Sequence, residues 1–313
     1  MTRFSIGLLV GGAILATALG AQSRGAAFTI VESGRTFSKL QDAVDAIGGG
    51  GGTISIAPGS YDQCAVQTAG RVAYRAGTPG TAVFDGGACE GKATLVLRGA
   101  SASVDGLTFQ NVTVPDANGA GIRLEHGDLD ISETMFRDSE EGILTGDDPA
   151  AAIRITRSTF SGLGRCDRDL ACAHGIYVGD YGSLTVDRSR FERGHGGHYV
   201  KSRAARIAVT DSSFDDSAGR LTNYMVDLSN GATGRITGNR FVQGKNKENW
   251  SAFIVVAAEG KNHSSAGLVV AGNEAELAPG AKRPTAFVAD LSGDTLAIGA
   301  NSIGAGIERF QKR

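Results

Sequence analysis

The segment GHYVKSR, residues 197–203, places four side chains that can move protons or bind anions within six positions. An imidazole titrates near neutral pH, lysine and arginine bind carboxylates, and a tyrosine hydroxyl can deliver a proton. Proton abstraction beside a carboxylate needs a base, a cation that stabilises the enolate, and an acid for the leaving oxygen. The segment therefore predicts Lys201 or His198 as base, Arg203 as the carboxylate-binding cation, and Tyr199 as acid.

Similar strand-like segments precede and follow this one, and they can be aligned on Gly-Ile. Aligned in this way, GIYVGD, GHYVKS and NYMVDL place Tyr177, Tyr199, Lys201 and Asp227 on the outward side of three successive repeats. Stacked repeats lie about 4.8 Å apart, so such a patch extends only about 10 Å. Aromatic rings beside charges suit a sugar polymer. The candidate substrate-binding residues are Tyr177, His174, Asp227, Asp180 and Trp250, with Tyr177 also an alternative to Tyr199 as acid.

Each of these features also has a purely structural interpretation. Lys201 and Asp227 in adjacent repeats can form a surface ion pair worth about 0–1 kcal/mol. Two stacked tyrosines can simply shield the flank. His198 aligns with isoleucines, so it is either a core histidine bonded to a carbonyl or a functional residue. We favour function, because a buried histidine carries a desolvation cost that isoleucine avoids.

The elements that must position these residues are indicated by a second repeat, seen in IRITRSTF, LTVDRSRF and IAVTDSSF. Its phenylalanines are Phe109, Phe136, Phe160, Phe191, Phe214 and Phe241. Small polar residues recur at one place in the repeat, namely Thr134, Ser158, Ser189, Ser212, Asn239, Asn273 and Asn301. Single units cannot bury their apolar faces, whereas stacked copies share a core. We expect a parallel β-solenoid of about eight coils, with an inner phenylalanine column and a hydrogen-bonded Ser/Asn ladder.

Residues 27–60 are predicted to cap this solenoid. TFSKLQDAVDAIG contains one amphipathic helix, in which Ser38 and Gln41 form a capping box and Gly48 ends the helix. Its apolar face consists of Leu40, Val44 and Ile47. We expect a single domain over 27–313, with coils over 61–303 and a C-terminal tail over 304–313.

The amino-acid composition of the chain limits the kinds of molecule that it is expected to bind. The net charge is −2 and the 31 Lys and Arg residues are scattered, which argues against nucleic acid or an anionic membrane. The 46 glycines against 6 prolines indicate many tight turns. We expect a monomer.

The N-terminal residues 1–21 read as a secretory signal, with Arg3 before an apolar run and small residues at the end. The mature protein is then periplasmic or secreted, free of the membrane. An oxidising compartment favours two disulfides among the four cysteines. The local pairs are Cys64 with Cys89 and Cys166 with Cys172.

The cap sequence TFSKLQDAVDAI…GGTISIAPGSY, followed by repeated short strands, resembles the right-handed parallel β-helix superfamily often called pectin-lyase-like. The resemblance covers nearly all of the mature chain and implies an all-β fold. That superfamily includes lyases, hydrolases, esterases, epimerases and non-catalytic adhesins, so the fold does not choose among them. The calcium cluster of pectate lyases and the Gln- and Asp-centred strands of pectin methylesterases are missing here. We expect no metal and no cofactor.

The leading hypothesis is an exported polysaccharide lyase that cleaves an acidic polysaccharide or oligosaccharide by metal-free β-elimination. A glycoside hydrolase using Asp180 or Asp227 is the first alternative, since hydrolysis needs two carboxylates facing one groove. A non-catalytic glycan-binding protein is the second.

Overall fold

The computed structural model describes Met1 and residues 27–313, which contain one helix and thirty-two short strands. Apart from Met1, the signal sequence predicted over residues 1–21 lies outside the described residues. The strands form a parallel β-solenoid with three sheets, each of which contributes ten parallel strands. The solenoid is therefore slightly longer than the eight coils expected.

Each coil contributes one strand to each sheet. Sheet 1 begins with two antiparallel strands and continues with parallel ones: Phe28–Ile30, Thr36–Phe37, Gly51–Ile56, Arg71–Ala76, Ser101–Asp105, Asp128–Ser132, Asp148–Thr156, Tyr181–Asp187, Arg206–Thr210, Thr233–Thr237, Val269–Ala271 and Ala297–Ile298. Sheet 2 contains Gly59–Tyr61, Ala82–Asp85, Leu107–Gln110, Met135–Arg137, Thr159–Ser161, Arg190–Glu192, Ser213–Asp215, Arg240–Gln243, Glu274–Leu277 and Ser302–Ile303. Sheet 3 contains Ala65–Gln67, Ala93–Leu97, Ala120–Leu124, Glu141–Thr145, Ile176–Val178, Val200–Ser202, Val226–Leu228, Ala252–Val256, Thr285–Asp290 and Ile307–Lys312.

The predicted phenylalanine column is confirmed. In-register pairing of the sheet 2 strands places Phe109 beside Phe136 and Phe191 beside Phe214. From Phe109 to Phe241 the rings stack one on the next, with centroids 4.6 to 5.2 Å apart. That separation is close to the spacing of hydrogen-bonded strands, so one aromatic residue per coil forms a continuous stack inside the core.

The predicted polar ladder is confirmed as well. The backbone N–H of Thr134 donates to Ser158 Oγ at 3.2 Å, and that of Ser212 donates to Asn239 Oδ1 at 2.9 Å. The same contact repeats between the intervening residues and onward to Asn301. At this turn the side chain of the next coil thus satisfies a buried backbone donor.

The helix spans Leu40–Ile47, and Gly48 ends it with φ +56°. The capping box expected from Ser38 and Gln41 is wrong, because the helix starts without a side-chain cap. Tertiary partners take its place: Gln63 Oε1 accepts the N–H of Leu40 at 2.9 Å, and Gln41 Oε1 accepts the N–H of Val66 at 2.7 Å. The helix is thereby tied to the first strand of sheet 3.

Both predicted disulfides, Cys64–Cys89 and Cys166–Cys172, are formed. Of the helices in the described part of the chain, none is long and apolar enough to cross a membrane.

Candidate functional site

The outer face of sheet 3 brings together most of the residues singled out from the sequence. Strand pairing aligns Tyr177 with Lys201, and Lys201 with Asp227. The alternating residues Ile176, Val200 and Val226 belong to the main core, so the aligned triplet points outward. The sequence alignment had paired Tyr177 with Tyr199, which is wrong by two residues.

Tyr199 does not belong to this face. Only 4% of it is exposed, and its hydroxyl donates to Asp216 Oδ1 at 2.8 Å while accepting the N–H of Gly194 at 3.0 Å. Gly196 and Gly197 both have positive φ, and they interrupt the extended backbone just before strand Val200–Ser202. The chain thus enters the strand with Tyr199 turned into the core.

A carboxylate clamp, consisting of Lys201, Arg203, Tyr177 and Glu259, lies at the end of strands 176–178 and 200–202. Glu259 Oε1 lies 2.5 Å from Lys201 Nζ, and its Oε2 lies 2.5 Å from Arg203 Nη2. Arg203 also donates to the Tyr177 hydroxyl. The Lys201 ammonium and the Arg203 guanidinium lie 5.2 and 5.1 Å from the Tyr177 ring centroid, within cation–π range.

Glu259 is 39% exposed, so the clamp opens to solvent. Partial burial raises the pKa of Glu259, but hydrogen bonds from Lys201 and Arg203 outweigh it and hold that pKa below the usual range. The two cations therefore face an ionised carboxylate.

Two histidines stack beside the clamp. The rings of His174 and His198 are 4.9 Å apart, and the backbone N–H of His198 donates to His174 Nδ1 at 3.0 Å. This bond assigns the proton of neutral His174 to Nε2. Burial lowers the pKa of His198 to about 3 and holds that of His174 well below its ordinary value, so both rings are neutral near pH 7. The His174 ring also meets Tyr177 edge-on at 5.3 Å.

Asp227 completes the site. Its Oδ2 lies 3.5 Å from His198 Nε2 and accepts a hydrogen bond from Ser229 Oγ at 2.9 Å. Burial raises the pKa of Asp227 to about 6, although Lys201 and Ser229 oppose that shift. His198 and Asp227 thus form a buried pair that changes its proton content close to neutral pH.

The sequence alignment placed His198 in the same column as the isoleucines, but the structure does not. Val200 pairs with Ile176 there, while the His198 ring stacks on Tyr224 with centroids 5.5 Å apart. The ring is nevertheless buried, with only 8% of the residue exposed, and it stacks between His174 and Tyr224.

Four buried polar atoms on this face find no hydrogen-bond partner within residues 27–313. They are Arg123 Nε, Glu141 Oε2, His198 Nδ1 and Asp227 Oδ1. Burial also raises the pKa of Glu141 well above its usual value. Unpaired buried polar groups are costly, so each of these atoms requires a partner such as water or a bound ligand. Glu141 was missed, although EGIL and HGIY place Glu141 and His174 alike before Gly-Ile. Glu259 carried no local signal, since it lies 58 residues beyond Lys201.

Asp180 and Trp250 lie apart from the clamp. Asp180 Oδ1 is 3.0 Å from His263 Nε2, and the Trp250 ring lies under the Arg283 guanidinium at 3.6 Å. Neither shares a hydrogen bond or ion pair with a clamp residue in the described chain. Over the same residues, no three His, Cys, Asp or Glu side chains come together as metal ligands.

A family model described as "right handed beta helix region" matches residues 94–275. Among solved structures, the pectin methylesterase from Aspergillus niger in penultimately deglycosylated form aligns with a TM-score of 0.54 and 14% identity over 87% of both chains. Its deglycosylated form gives 0.53 with the same identity and coverage. An alginate lyase of family PL6 gives 0.44 with 15% identity, covering 82% of this chain and 40% of that chain. No curated protein sequence matches. The solenoid and the family match together confirm the resemblance found in the sequence, and the chain belongs to the right-handed β-helix family.

Proposed function

We propose that the protein is an exported lyase that cleaves a uronate-containing polysaccharide by metal-free β-elimination. The observation that carries the proposal is the clamp, in which Lys201 and Arg203 hold a carboxylate beside an aromatic ring. A bidentate cation pair over a flat ring matches a sugar acid, because the carboxylate pairs with the cations and the pyranose face stacks on tyrosine.

The reaction removes the proton α to the carboxylate and breaks the C–O bond at the β carbon, leaving a C=C bond. Lys201 and Arg203 neutralise the uronate and stabilise the enolate charge. Asp227 takes the proton on its carboxylate, whose pKa of about 6 suits a base near neutral pH. Neutral His198 lies beside it, with Nε2 3.5 Å from Asp227 Oδ2. Tyr177, held by Arg203, protonates the departing oxygen.

Two further facts agree with an exported protein that acts on a polysaccharide. Two disulfides are typical of proteins in oxidising compartments, which agrees with export. The similar Aspergillus niger structure is that of an enzyme named for pectin, a polysaccharide. At 14% identity this likeness concerns the fold, so the substrate class rests on the clamp.

A glycoside hydrolase is the second candidate, and one observation favours it. Asp227 has a raised pKa of about 6 while Glu259 has a lowered one. Two carboxyl groups whose pKa values are shifted in opposite directions are typical of the general acid and the base or nucleophile of hydrolases.

The test mixes the mature protein with a panel of uronate polysaccharides and follows the ultraviolet absorbance of the new double bond, together with reducing ends. We expect absorbance that Lys201→Ala abolishes and that Lys282→Ala, an exposed control, retains. Reducing ends without absorbance would establish the hydrolase instead. Glycan binding without any product would establish a binding protein, and the lyase proposal would be wrong in both cases.

A further inference from the structure

The disulfide loop, residues 166–172, closes as a small hairpin directly before His174. At its base Arg165 and Ala173 pair in antiparallel fashion, with the N–H of Ala173 donating to Arg165 O at 2.9 Å. The Cys166–Cys172 bond closes this loop across a sequence separation of 6. The hairpin therefore sets where the chain enters strand Ile176–Val178 and where His174 lies.

The next coil packs against the same hairpin through two glycines. The N–H of Gly197 donates to Cys166 Sγ at 3.2 Å. A Cβ on Gly196 would lie 2.7 Å from the backbone N of Cys166, and one on Gly197 would lie 2.1 Å from Ala173 O. Only glycine permits this approach, because backbone atoms on both sides cannot move away independently.

That close approach brings the two histidines into contact. His198 directly follows Gly197, and its N–H reaches His174 Nδ1 at 3.0 Å. A second hydrogen bond joins the same two segments, because the N–H of Gly175 donates to His198 O at 2.9 Å. Both rings are thus held by the hairpin that the Cys166–Cys172 bond closes, one through the chain and the other through Gly197.

We infer that the Cys166–Cys172 disulfide positions the His174–His198 pair, so that the site assembles only when this bond is closed, whereas Cys64–Cys89 serves stability. The catalytic consequence rests on the proposed function, but the placement of the histidines does not. The longer loop between Cys64 and Cys89, with a separation of 25, restricts the unfolded chain more than the short one. The two disulfides should therefore affect different properties.

The experiment compares the double variants Cys166→Ser/Cys172→Ser and Cys64→Ser/Cys89→Ser. Histidine side-chain resonances are titrated by NMR, which needs no substrate. In the wild type the His174 and His198 rings titrate far below neutral pH, since burial lowers their pKa values. Opening the short loop should expose both rings and raise these pKa values toward the ordinary range. The Cys64/Cys89 variant should titrate like the wild type and lose thermal stability.

The second readout is turnover on the substrate found in the panel. Misplacing a reacting group by about 1 Å can cost on the order of 10²-fold in rate. We expect the Cys166/Cys172 variant to lose at least about tenfold in kcat with KM changed less than about twofold, because the ion-paired residues Lys201, Arg203 and Glu259 lie on other segments of the chain. The Cys64/Cys89 variant should retain kcat.

Gly197→Ala provides an independent test if the cysteine variant does not fold, since it separates the same segments without touching the disulfide. It should shift the same two resonances. An unchanged histidine titration in the folded Cys166/Cys172 variant, or in Gly197→Ala, would overturn the inference, as would an equal shift in the Cys64/Cys89 variant. A shifted titration in a protein that eliminates no substrate would sink the lyase proposal and leave the inference standing.

Discussion

The carboxylate of Glu259 fills the space between Lys201 and Arg203, 2.5 Å from each cation. Glu259 belongs to the loop 257–268, which follows strand Ala252–Val256 and returns over earlier coils. The same loop carries His263, which bonds Asp180 at 3.0 Å. Glu259 thus occupies the two cations in the free protein, and the uronate of the proposed function would have to displace it.

Glu259→Gln should increase affinity for a uronate oligosaccharide. The amide cannot pair with both cations, so Lys201 and Arg203 become available to the ligand. Each partly exposed ion pair is worth about 0.2–1 kcal/mol, so the dissociation constant should fall about fivefold. Isothermal titration calorimetry measures it. Glu276→Gln is the control, because Glu276 forms an exposed ion pair with Arg240. A weaker complex for Glu259→Gln would mean that Glu259 supports the clamp.

Tyr177→Phe should lower kcat, whereas Tyr199→Phe should lower stability. Tyr177→Phe keeps the ring but removes the hydroxyl that Arg203 holds, so kcat should fall by about 10²-fold with little change in stability. Tyr199→Phe deprives buried Asp216 of a donor and should cost about 1–3 kcal/mol of unfolding free energy while activity is retained. Steady-state kinetics measure kcat, and urea unfolding measures the change in stability. Normal turnover by Tyr177→Phe would exclude it as the acid.

Asp227→Asn should gain stability relative to the wild type as the pH rises from about 4 to about 7. The folded-state pKa of Asp227 is raised to about 6 from 3.8, so the folded protein retains a proton that the unfolded chain has released. Ionisation of Asp227 therefore opposes folding, and its cost appears as pH rises through this window. The shift of about two pKa units corresponds to on the order of 3 kcal/mol.

Urea unfolding of both proteins across this pH range gives the comparison. The quantity of interest is the variant-minus-wild-type free energy of unfolding, which removes the contributions of groups that do not contact Asp227. A difference that stayed level or decreased toward pH 7 would show that Asp227 is not held in its neutral form by burial.

Lys247→Met should be strongly destabilising. Lys247 Nζ lies 3.2 Å from Asp216 Oδ2, and the two side chains are 1% and 0% exposed. Removing the cation leaves a buried carboxylate without its charge partner, which costs about 3–5 kcal/mol. Thermal and urea unfolding measure the loss. Lys245→Met is the matched control, because Lys245 is exposed in the same loop. Equal stability of the two variants would contradict this assignment.

The repeats in the sequence were sufficient to predict the solenoid, its phenylalanine column and its polar ladder. These features repeat once per coil, and a residue that recurs at one position must meet its own copy in the next coil. The disulfides followed from pairs close in sequence. The alignment paired Lys201 with Asp227 as the structure does. It placed Tyr177 two residues out of register, but an error of two residues preserves the side on which a residue points.

Tertiary structure decided the rest. Gly196 and Gly197 bend the chain before Val200, which turns Tyr199 into the core and brings His198 onto His174; alternation alone assigned both residues differently. Glu259 reaches the clamp only because a loop two coils further along folds back over it. The sequence by itself determined the coil and its repeated interior, since those depend on neighbours one repeat apart. The site depends on register breaks and a returning loop, which no repeat encodes, so only the folded chain brings its charges together.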